Sequence, residues 1–355
     1  MKFKEVNIKT LASTNASASI LIVYTGGTFG MVYDDKGTLV PFDFGKIREN
    51  IPLLKRFNLK LTVISFSDPI DSSNISPDNW IDIGTIILDN YQQYDGFVIL
   101  HGTDTMAFTA SALSYMLDNL GKPVIFTGAQ LPLGAMRSDA RENLYTALEI
   151  ASTKKNERPL VQEVCIFFNS LLLRGNRSKK VRSSHFGAFK SENYPILAQA
   201  GVIIDFNEPA LLKPRLDNRK LKLNTHFDDS ITLIKLYPNI NETMLERMLT
   251  IPGLRGVVME TYGSGNAPTD PWFVNCLSKA IQKGIIIFNV SQCVGGKVIQ
   301  GRYATSKQLE DIGVVSGNDI TTEAALTKLM FVLGDENSIE KVKKKLILPI
   351  SGEMN

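Results

Sequence analysis

The sequence predicts a two-domain α/β protein, a larger doubly wound N-terminal domain followed by a smaller α/β domain. Three observations carry this reading. Short apolar, β-branched runs alternate with helical segments from Ile20 to about Phe206. The composition then turns polar and charged over 207–229, with Pro209 and Pro214. A second strand-helix alternation begins near Ile231. A chain of 355 residues is long for a single core, and domains usually divide at such lengths. The expected bounds are 1–206 for the first domain, 207–229 for a linker and 230–355 for the second domain.

The first strand is the organising element. Ile20, Leu21, Ile22 and Val23 form a run suited to a parallel strand covered on both faces. It ends in Thr25, Gly26, Gly27 and Thr28, where the glycines permit positive φ and close backbone approach. In open α/β sheets the carboxyl edge is where ligands bind. Gly26 to Gly30 has neither the GxGxxG spacing nor the lysine of a phosphate-binding P-loop, which argues against a nucleotide site. A nucleophilic threonine fits better, provided that partners converge on it. The segment from Met31 to Val40 reads as a polar excursion turning at Asp35-Lys36-Gly37, either a lid over Thr28 or an inert surface hairpin.

Leu61 to Phe66 reads as the next strand and delivers Asp71, Ser72, Ser73 and Asn74, either a surface turn or a cluster of hydrogen-bonding groups. Ser76 followed by Pro77 opens a helix through about Tyr94. Gly96 to Leu100 repeats the first pattern, a buried strand running into His101, Gly102, Thr103, Asp104 and Thr105. Asp104 there either caps the helix that follows, through Leu117, or brings a carboxylate to the sheet edge. Lys122 to Gln130 gives a further strand and turn, Arg137 to Ala151 a loop and helix, and Val164 to Phe168 another strand. The basic run from Arg174 to Lys180 reads as solvated surface, unless the fold returns Lys180 to Thr103 and Asp104. In the second domain, Tyr262 to Pro268 is a glycine-rich turn presenting Asn266. It serves a ligand, a neighbouring subunit or packing geometry. Glu340 to Lys345 reads as a solvated helix face.

Composition narrows the function classes. The formal net charge is +3, too small for this length to suggest nucleic acid or an anionic membrane as partner. No apolar run approaches transmembrane length, and the residues before Ile20 lack the apolar stretch of a signal peptide. The chain is therefore read as cytoplasmic. Cys165, Cys276 and Cys293 are widely spaced in apolar surroundings and are expected as reduced, buried thiols. His101, His185 and His226 lack metal-ligand spacing, so no catalytic metal is expected.

Taken in order, Thr25-Gly-Gly-Thr28, Asp71-Ser-Ser73, His101-Gly-Thr-Asp-Thr105, Arg174-Gly-Asn-Arg177 and Gly263-Ser-Gly-Asn266 resemble the motifs of bacterial-type L-asparaginases, most of all the cytoplasmic type I group. The resemblance runs from Ile20 to Glu353. It implies an asparaginase-like fold with a flavodoxin-like first domain containing a left-handed crossover, subunits paired as homodimers or as homotetramers built from two dimers, and no cofactor. The implied reaction is hydrolysis of L-asparagine to L-aspartate and ammonia through an acyl-enzyme. Thr28 would be the nucleophile, and Thr103, Asp104 and Lys180 a second hydroxyl-based triad. Asp71, Ser72 and Ser73, with Thr103 and Asp104, would bind the substrate's α-amino and α-carboxylate groups, and Asn266 of a neighbouring subunit would close the site. The motifs leave room for a dual glutaminase-asparaginase, an amidotransferase subunit or a non-catalytic asparagine sensor on the same scaffold.

The sequence also departs from the family pattern. Thr38 stands where well-known members carry a catalytic tyrosine, which leaves Tyr33 and Tyr303 as candidates for that role. Cys293 matches one residue of the allosteric asparagine site found in some type I members, but Lys179 and Glu260 stand where those carry threonine and arginine. These charged replacements argue against allosteric control, and Cys293 is read as a core thiol.

Overall fold

The computed structural model describes residues 3–8, 16–33, 36–41, 54, 56–213, 219–301 and 304–355. The chain divides into two compact units, Met1–Ser191 with Pro195–Asn224 and Glu192–Tyr194 with Thr225–Asn355. The expected linker is thus corrected over its first part, because 207–224 belongs to the first unit. Polar composition hid its anchors. Ala210 is buried and accepts a hydrogen bond from Arg174 Nη2 at 2.9 Å, and Lys222–Leu223 pairs with Leu117–Asp118.

Among the described residues the first unit carries a nine-stranded sheet. Its strands are β1 (Phe3–Ile8), β2 (Ala18–Gly26), β3 (Leu59–Ile70), β4 (Gly96–Leu100), β5 (Val124–Thr127), β6 (Val164–Phe168), β7 (Leu171–Arg174), β8 (Ala198–Ala200) and β9 (Ile204–Phe206). Their order is β1-β3-β2-β4-β5-β6-β7-β8-β9. The middle of the sheet, β3 to β6, is parallel. Its flanks are antiparallel. Ile20 to Val23 and Phe97 to Leu100 are wholly buried, as strands covered on both faces must be.

Helices α1 (Pro77–Asn90), α2 (Met106–Met116) and α3 (Ala140–Ser152) belong to this unit. Pro77 occupies the first turn of α1, and the Ser76 N–H donates to Asn79 Oδ1 at 2.9 Å. The helix ends at Asn90, a turn short of the expected Tyr94. The basic run after β7 is not the solvated surface that composition suggests. Arg174 and Arg177 are buried, and Arg174 Nε meets Glu163 Oε2 at 2.6 Å.

The second unit is a four-stranded parallel sheet, β10 (Ile231–Lys235), β11 (Gly256–Thr261), β12 (Ile286–Ser291) and β13 (Val315–Ser316), in sequential order. Strand alternation sorts two cores. Val257, Met259 and Ile287 pack with Leu245 and Leu249 of α4 (Glu242–Leu249) and with Phe273 and Leu277 of α5 (Pro271–Gln282). Val258, Ile286 and Phe288 join a second cluster. That cluster includes Leu329 and Val332 after the short α6 (Ala304–Asp311), in α7 (Thr322–Asp335), and Val342 and Leu346 of α8 (Ile339–Ile347). The Glu340 to Lys345 segment therefore lies in a helix that buries one apolar stripe.

Cys293 is exposed in the bend after β12, which corrects its reading as a core thiol. β12 ends at Ser291, and Cys293 lies beyond the sheet with its N–H held by Ser291 Oγ at 3.0 Å. Cys165 and Cys276 are buried, and all three thiols are free. Glu260 is buried, accepting from Thr322 Oγ1 at 2.6 Å and pairing with Lys235 at 3.3 Å.

The C-terminus of this unit is held by an ion pair with no local sequence signal. Lys328 in α7 is fully buried and meets Glu353 Oε1 at 2.7 Å. Its ammonium also donates to the Leu346 and Leu348 carbonyls at 2.8 and 2.7 Å. Glu353 in turn accepts the Ile350 and Ser351 N–H groups. Burial lowers the Lys328 pKa, an effect that Glu353 opposes. Removing one member of a buried pair strands the other charge, at a cost of about 3–5 kcal/mol. Lys328→Met is therefore expected to destabilise the protein by that order in urea unfolding, and a loss under about 1 kcal/mol would refute the assignment.

Candidate active site

The carboxyl ends of β2, β3, β4 and β5 converge because their registers align. Tyr24 pairs with Leu100 and with Ser65, and Leu100 with Thr127. Thr25 Oγ1 donates to the Leu100 carbonyl at 3.1 Å, which ties the end of β2 to β4. Beyond that point the chain can turn only through glycine. Gly26 and Gly27 have φ of 140° and 85°. A Cβ on Gly26 would lie 2.1 Å from the Ile70 oxygen, and one on Gly27 would lie 2.5 Å from the Gly102 Cα. Gly102 is pressed from its other side, since its own Cβ would fall 2.5 Å from Ser72 Oγ. Three separately expected motifs, those of Thr28, Ser72 and Thr103, are thus packed directly against one another.

Thr28 opens a single 3-10 turn through Gly30, closed by the Met31 N–H donating to the Thr28 carbonyl. The turn rests on the Tyr24 ring, whose hydroxyl would lie 1.9 Å from a Cβ on Gly30. Thr28 itself is half-buried. Asp71 and Ser73 are exposed and Ser72 is buried. The Ser73 N–H donates to Asp71 Oδ1 at 3.0 Å, and Thr105 Oγ1 donates to the Ser72 carbonyl at 2.7 Å. The Asp71 run is therefore locked onto the Thr103 turn.

Lys180 reaches this place from far along the chain. It lies in a two-residue strand paired with Phe189–Lys190. Its Nζ donates to Thr103 Oγ1 at 2.8 Å and to Asp104 Oδ1 at 2.6 Å. The Lys180 side chain is 16% exposed and that of Asp104 64%. Asp104 does not cap α2, whose N-cap is Thr105. Its carboxylate faces an ammonium instead. The arrangement offers a hydroxyl bonded to a cation that is itself fixed by a carboxylate. A threonine hydroxyl needs such a charge network before it can take part in covalent chemistry.

Asn266 belongs to the second unit, in a tight turn where Tyr262 and Asn266 exchange backbone hydrogen bonds at 2.9 and 2.8 Å. Tyr33 ends a strand, Met31–Tyr33, paired with Leu39–Pro41, so the polar excursion is a hairpin. The Tyr33 side chain and all of Tyr303 fall outside the described residues. Among the described residues no three His, Cys, Asp or Glu side chains cluster as metal ligands, and no helix is long and apolar enough to cross a membrane.

Sequence reasoning overlooked His101 as anything but a potential metal ligand. It is buried, with Nδ1 2.7 Å from the Gly102 carbonyl and Nε2 3.0 Å from Thr109 Oγ1. Thr109 is 3.2 Å from Trp80 Nε1. The position of His101 inside the motif that bears Thr103 and Asp104 was the available signal.

Two family models match the chain, "Asparaginase, N-terminal" over residues 19–211 and "Glutaminase/Asparaginase C-terminal domain" over residues 230–346. The chain belongs to the asparaginase family. It is 40% identical to L-asparaginase 1 of Escherichia coli strain K12, over 95% of this chain and 98% of that protein. The crystal structure of L-asparaginase I from Vibrio cholerae superposes with a TM-score of 0.85 at 40% identity, covering 95% of this chain and 99% of that one. The 60 kDa lysophospholipase of Mus musculus is 39% identical over 94% of this chain, which spans 62% of that longer protein. The asparaginase fold here comprises a larger mixed sheet and a smaller parallel one.

Burial holds the His101 imidazole down to about 4 from its ordinary 6.5, against the opposite pull of the Gly102 carbonyl. Between those values the folded asparaginase-family chain binds fewer protons at His101 than the unfolded chain does. The stability from keeping this ring neutral is complete above pH 6.5 and is lost as pH falls toward 4, on the order of 3 kcal/mol. Urea unfolding across that window should show a steeper decline in the parent than in His101→Asn, and parallel declines would contradict it.

Proposed function

We propose that this chain is a type I L-asparaginase that hydrolyses L-asparagine to L-aspartate and ammonia. The observation that carries the reading is Lys180 Nζ bridging Thr103 Oγ1 and Asp104 Oδ1, beside the glycine turn that bears Thr28. The names of the similar asparaginases support the substrate. Thr28 Oγ1 attacks the side-chain amide carbon, its proton passes to the departing nitrogen, and ammonia leaves an ester behind. Water then adds to the ester carbon, aspartate departs, and a proton returns to Thr28. Thr103 donates to the oxyanion of each step, and loss of one such donor costs ~2.7–4 kcal/mol. Asp71 and Asp104 accept the α-ammonium while Ser72 and Ser73 donate to the α-carboxylate. A tyrosine, Tyr33 or Tyr303, assists the proton leaving Thr28.

We further infer that the enzyme works in the cytoplasm as a homodimer or a homotetramer, with Asn266 of a neighbouring subunit closing the site. Three unpaired thiols suit a reducing compartment. Sedimentation at assay concentration should show dimers or tetramers, and full activity from a monomer would remove Asn266 from the site.

The deciding experiment measures ammonia release from L-asparagine and from L-glutamine. One methylene separates these substrates, worth about 1–3 kcal/mol of discrimination, and asparagine is expected to be preferred. Thr28→Ala should abolish turnover, and Thr103→Ala or Lys180→Met should lower kcat by about 10²–10³. Asparagine bound by the parent without ammonia release would make the chain a sensor instead.

A further inference from the structure

We infer that His101 is a positioning residue, which with Thr109 and Trp80 forms a buried relay that sets the Gly102–Thr103 peptide and so aims the Thr103 N–H at the substrate. The inference rests on reading the site as an L-asparaginase and adds residues beneath it. Each hydrogen in the relay is fixed by what its neighbours can do. The Gly102 carbonyl only accepts, so His101 Nδ1, 2.7 Å away, carries the hydrogen. The Trp80 indole only donates, so Thr109 Oγ1 accepts its N–H at 3.2 Å. The Thr109 hydroxyl then donates to His101 Nε2 at 3.0 Å. Every polar atom of the chain is satisfied by a neutral imidazole, the form that burial favours.

The relay is anchored on three elements. His101 continues β4, its N–H donating to the Thr127 carbonyl at 3.0 Å. Thr109 lies in α2 and Trp80 in α1, both buried. Ser111 and Ser114 in α2 turn their hydroxyls back onto their own helix carbonyls. Thr109 does not. Its hydroxyl crosses to the imidazole.

The consequence for the site is geometric. The described peptide bonds are all trans, and a trans peptide points its carbonyl and its N–H in opposite directions. With the Gly102 carbonyl turned onto the buried imidazole, the Thr103 N–H is turned away from it. Among the described residues that N–H makes no hydrogen bond. Gly27 and Ser72 lie so near Gly102 that no Cβ would fit between them, which limits sideways movement of the peptide. What remains is rotation of the peptide plane, and the imidazole stops that. A donor aimed in advance stabilises charge that develops only in the transition state, so the relay acts on kcat more than on KM.

The test compares steady-state asparagine hydrolysis by the parent, His101→Leu, His101→Asn and Thr109→Val, each verified as folded by thermal unfolding. His101→Leu should lower kcat about tenfold or more with KM within about twofold of the parent's. His101→Asn places an amide N–H near the Nδ1 position and should recover most of that loss. Thr109→Val keeps the shape, frees the imidazole to rotate or change tautomer, and should lower kcat a few-fold. Nitrogen NMR of the parent should show a neutral ring protonated at Nδ1.

An unimpaired His101→Leu, an Asn variant as damaged as the Leu variant, or a loss expressed in KM alone would overturn the relay. Should His101→Leu not fold, the ratio of kcat between His101→Asn and Thr109→Val and the parent decides in the same way. Absence of turnover in the parent would overturn the reading of the site and the relay with it, and is recognisable because the parent itself fails.

Discussion

The backbones of Gly27 and Gly102 can approach as closely as they do only because Gly27 has no side chain. A Cβ on Gly27 would lie 2.5 Å from Gly102 Cα, well inside any non-bonded contact, and Gly27 also takes a positive φ that other residues adopt at a cost. Gly102 faces Ser72 with the same intolerance. The rest of the site follows from this contact. It forces the turns after β2, β3 and β4 into one small volume, and each turn brings a short hydroxyl side chain with it. A larger residue at Gly27 would push the Thr28 turn away from the Thr103 turn, and one at Gly102 would push the Ser72 turn away, even if all the hydroxyl side chains survived.

Close approach fixes distances but not directions, and the polar chain beneath the turns supplies the second. Sheet register determines where His101 begins. The hydrogen bonds of Trp80, Thr109 and His101 then orient the peptide above them. Outside the turns, Thr105 ties the Asp71 run to the start of α2, and Asp71 is itself turned by the Ser73 N–H. Groups proposed to meet the substrate are thus held by hydrogen bonds formed before substrate arrives. This reduces the reorganisation that a polar site would otherwise undergo during reaction.

Much of this was legible in the sequence, and the parts that were not share a cause. Ile20 to Val23 and Gly96 to Leu100 announce buried parallel strands through local composition, and Ser76-Pro77 announces a helix start. The turns after those strands announce themselves through glycine and threonine. By contrast, β1 carries the exposed Lys4, Glu5 and Asn7 in an edge strand, so its pattern resembles a polar leader. Arg174 reads as surface because its partner Glu163 is eleven residues away in sequence and across a strand pair in space. Lys328 and Glu353 conceal each other in the same manner. Cys293 erred in the opposite direction, an apolar residue placed in an exposed bend two residues beyond the end of its strand. Local pattern reports local structure, whereas burial of a charge depends on a partner chosen by the fold.

The same distinction explains how Lys180 comes to the site. A lysine on a long surface loop would lose considerable side-chain entropy to hold two partners at once. Here the loop's base is already rigid. Arg174 is fixed by Glu163 and by the Ala210 carbonyl, and Glu163 also receives the Leu212 N–H at 2.7 Å. Gly175 then passes so near α2 that its Cβ would lie 3.0 Å from the Ala110 Cβ. Ser178 Oγ closes back on the Arg174 carbonyl at 2.7 Å. The short strand that bears Lys180 therefore leaves a buried, cross-linked turn seated against the helix that follows Thr103 and Asp104. Such an ion pair contributes little net stability, because desolvation offsets most of its attraction. Its effect is positional. By fixing where the excursion begins, Arg174 and Glu163 leave Lys180 only its own side-chain torsions to set, and the Thr103 hydroxyl and Asp104 carboxylate set those.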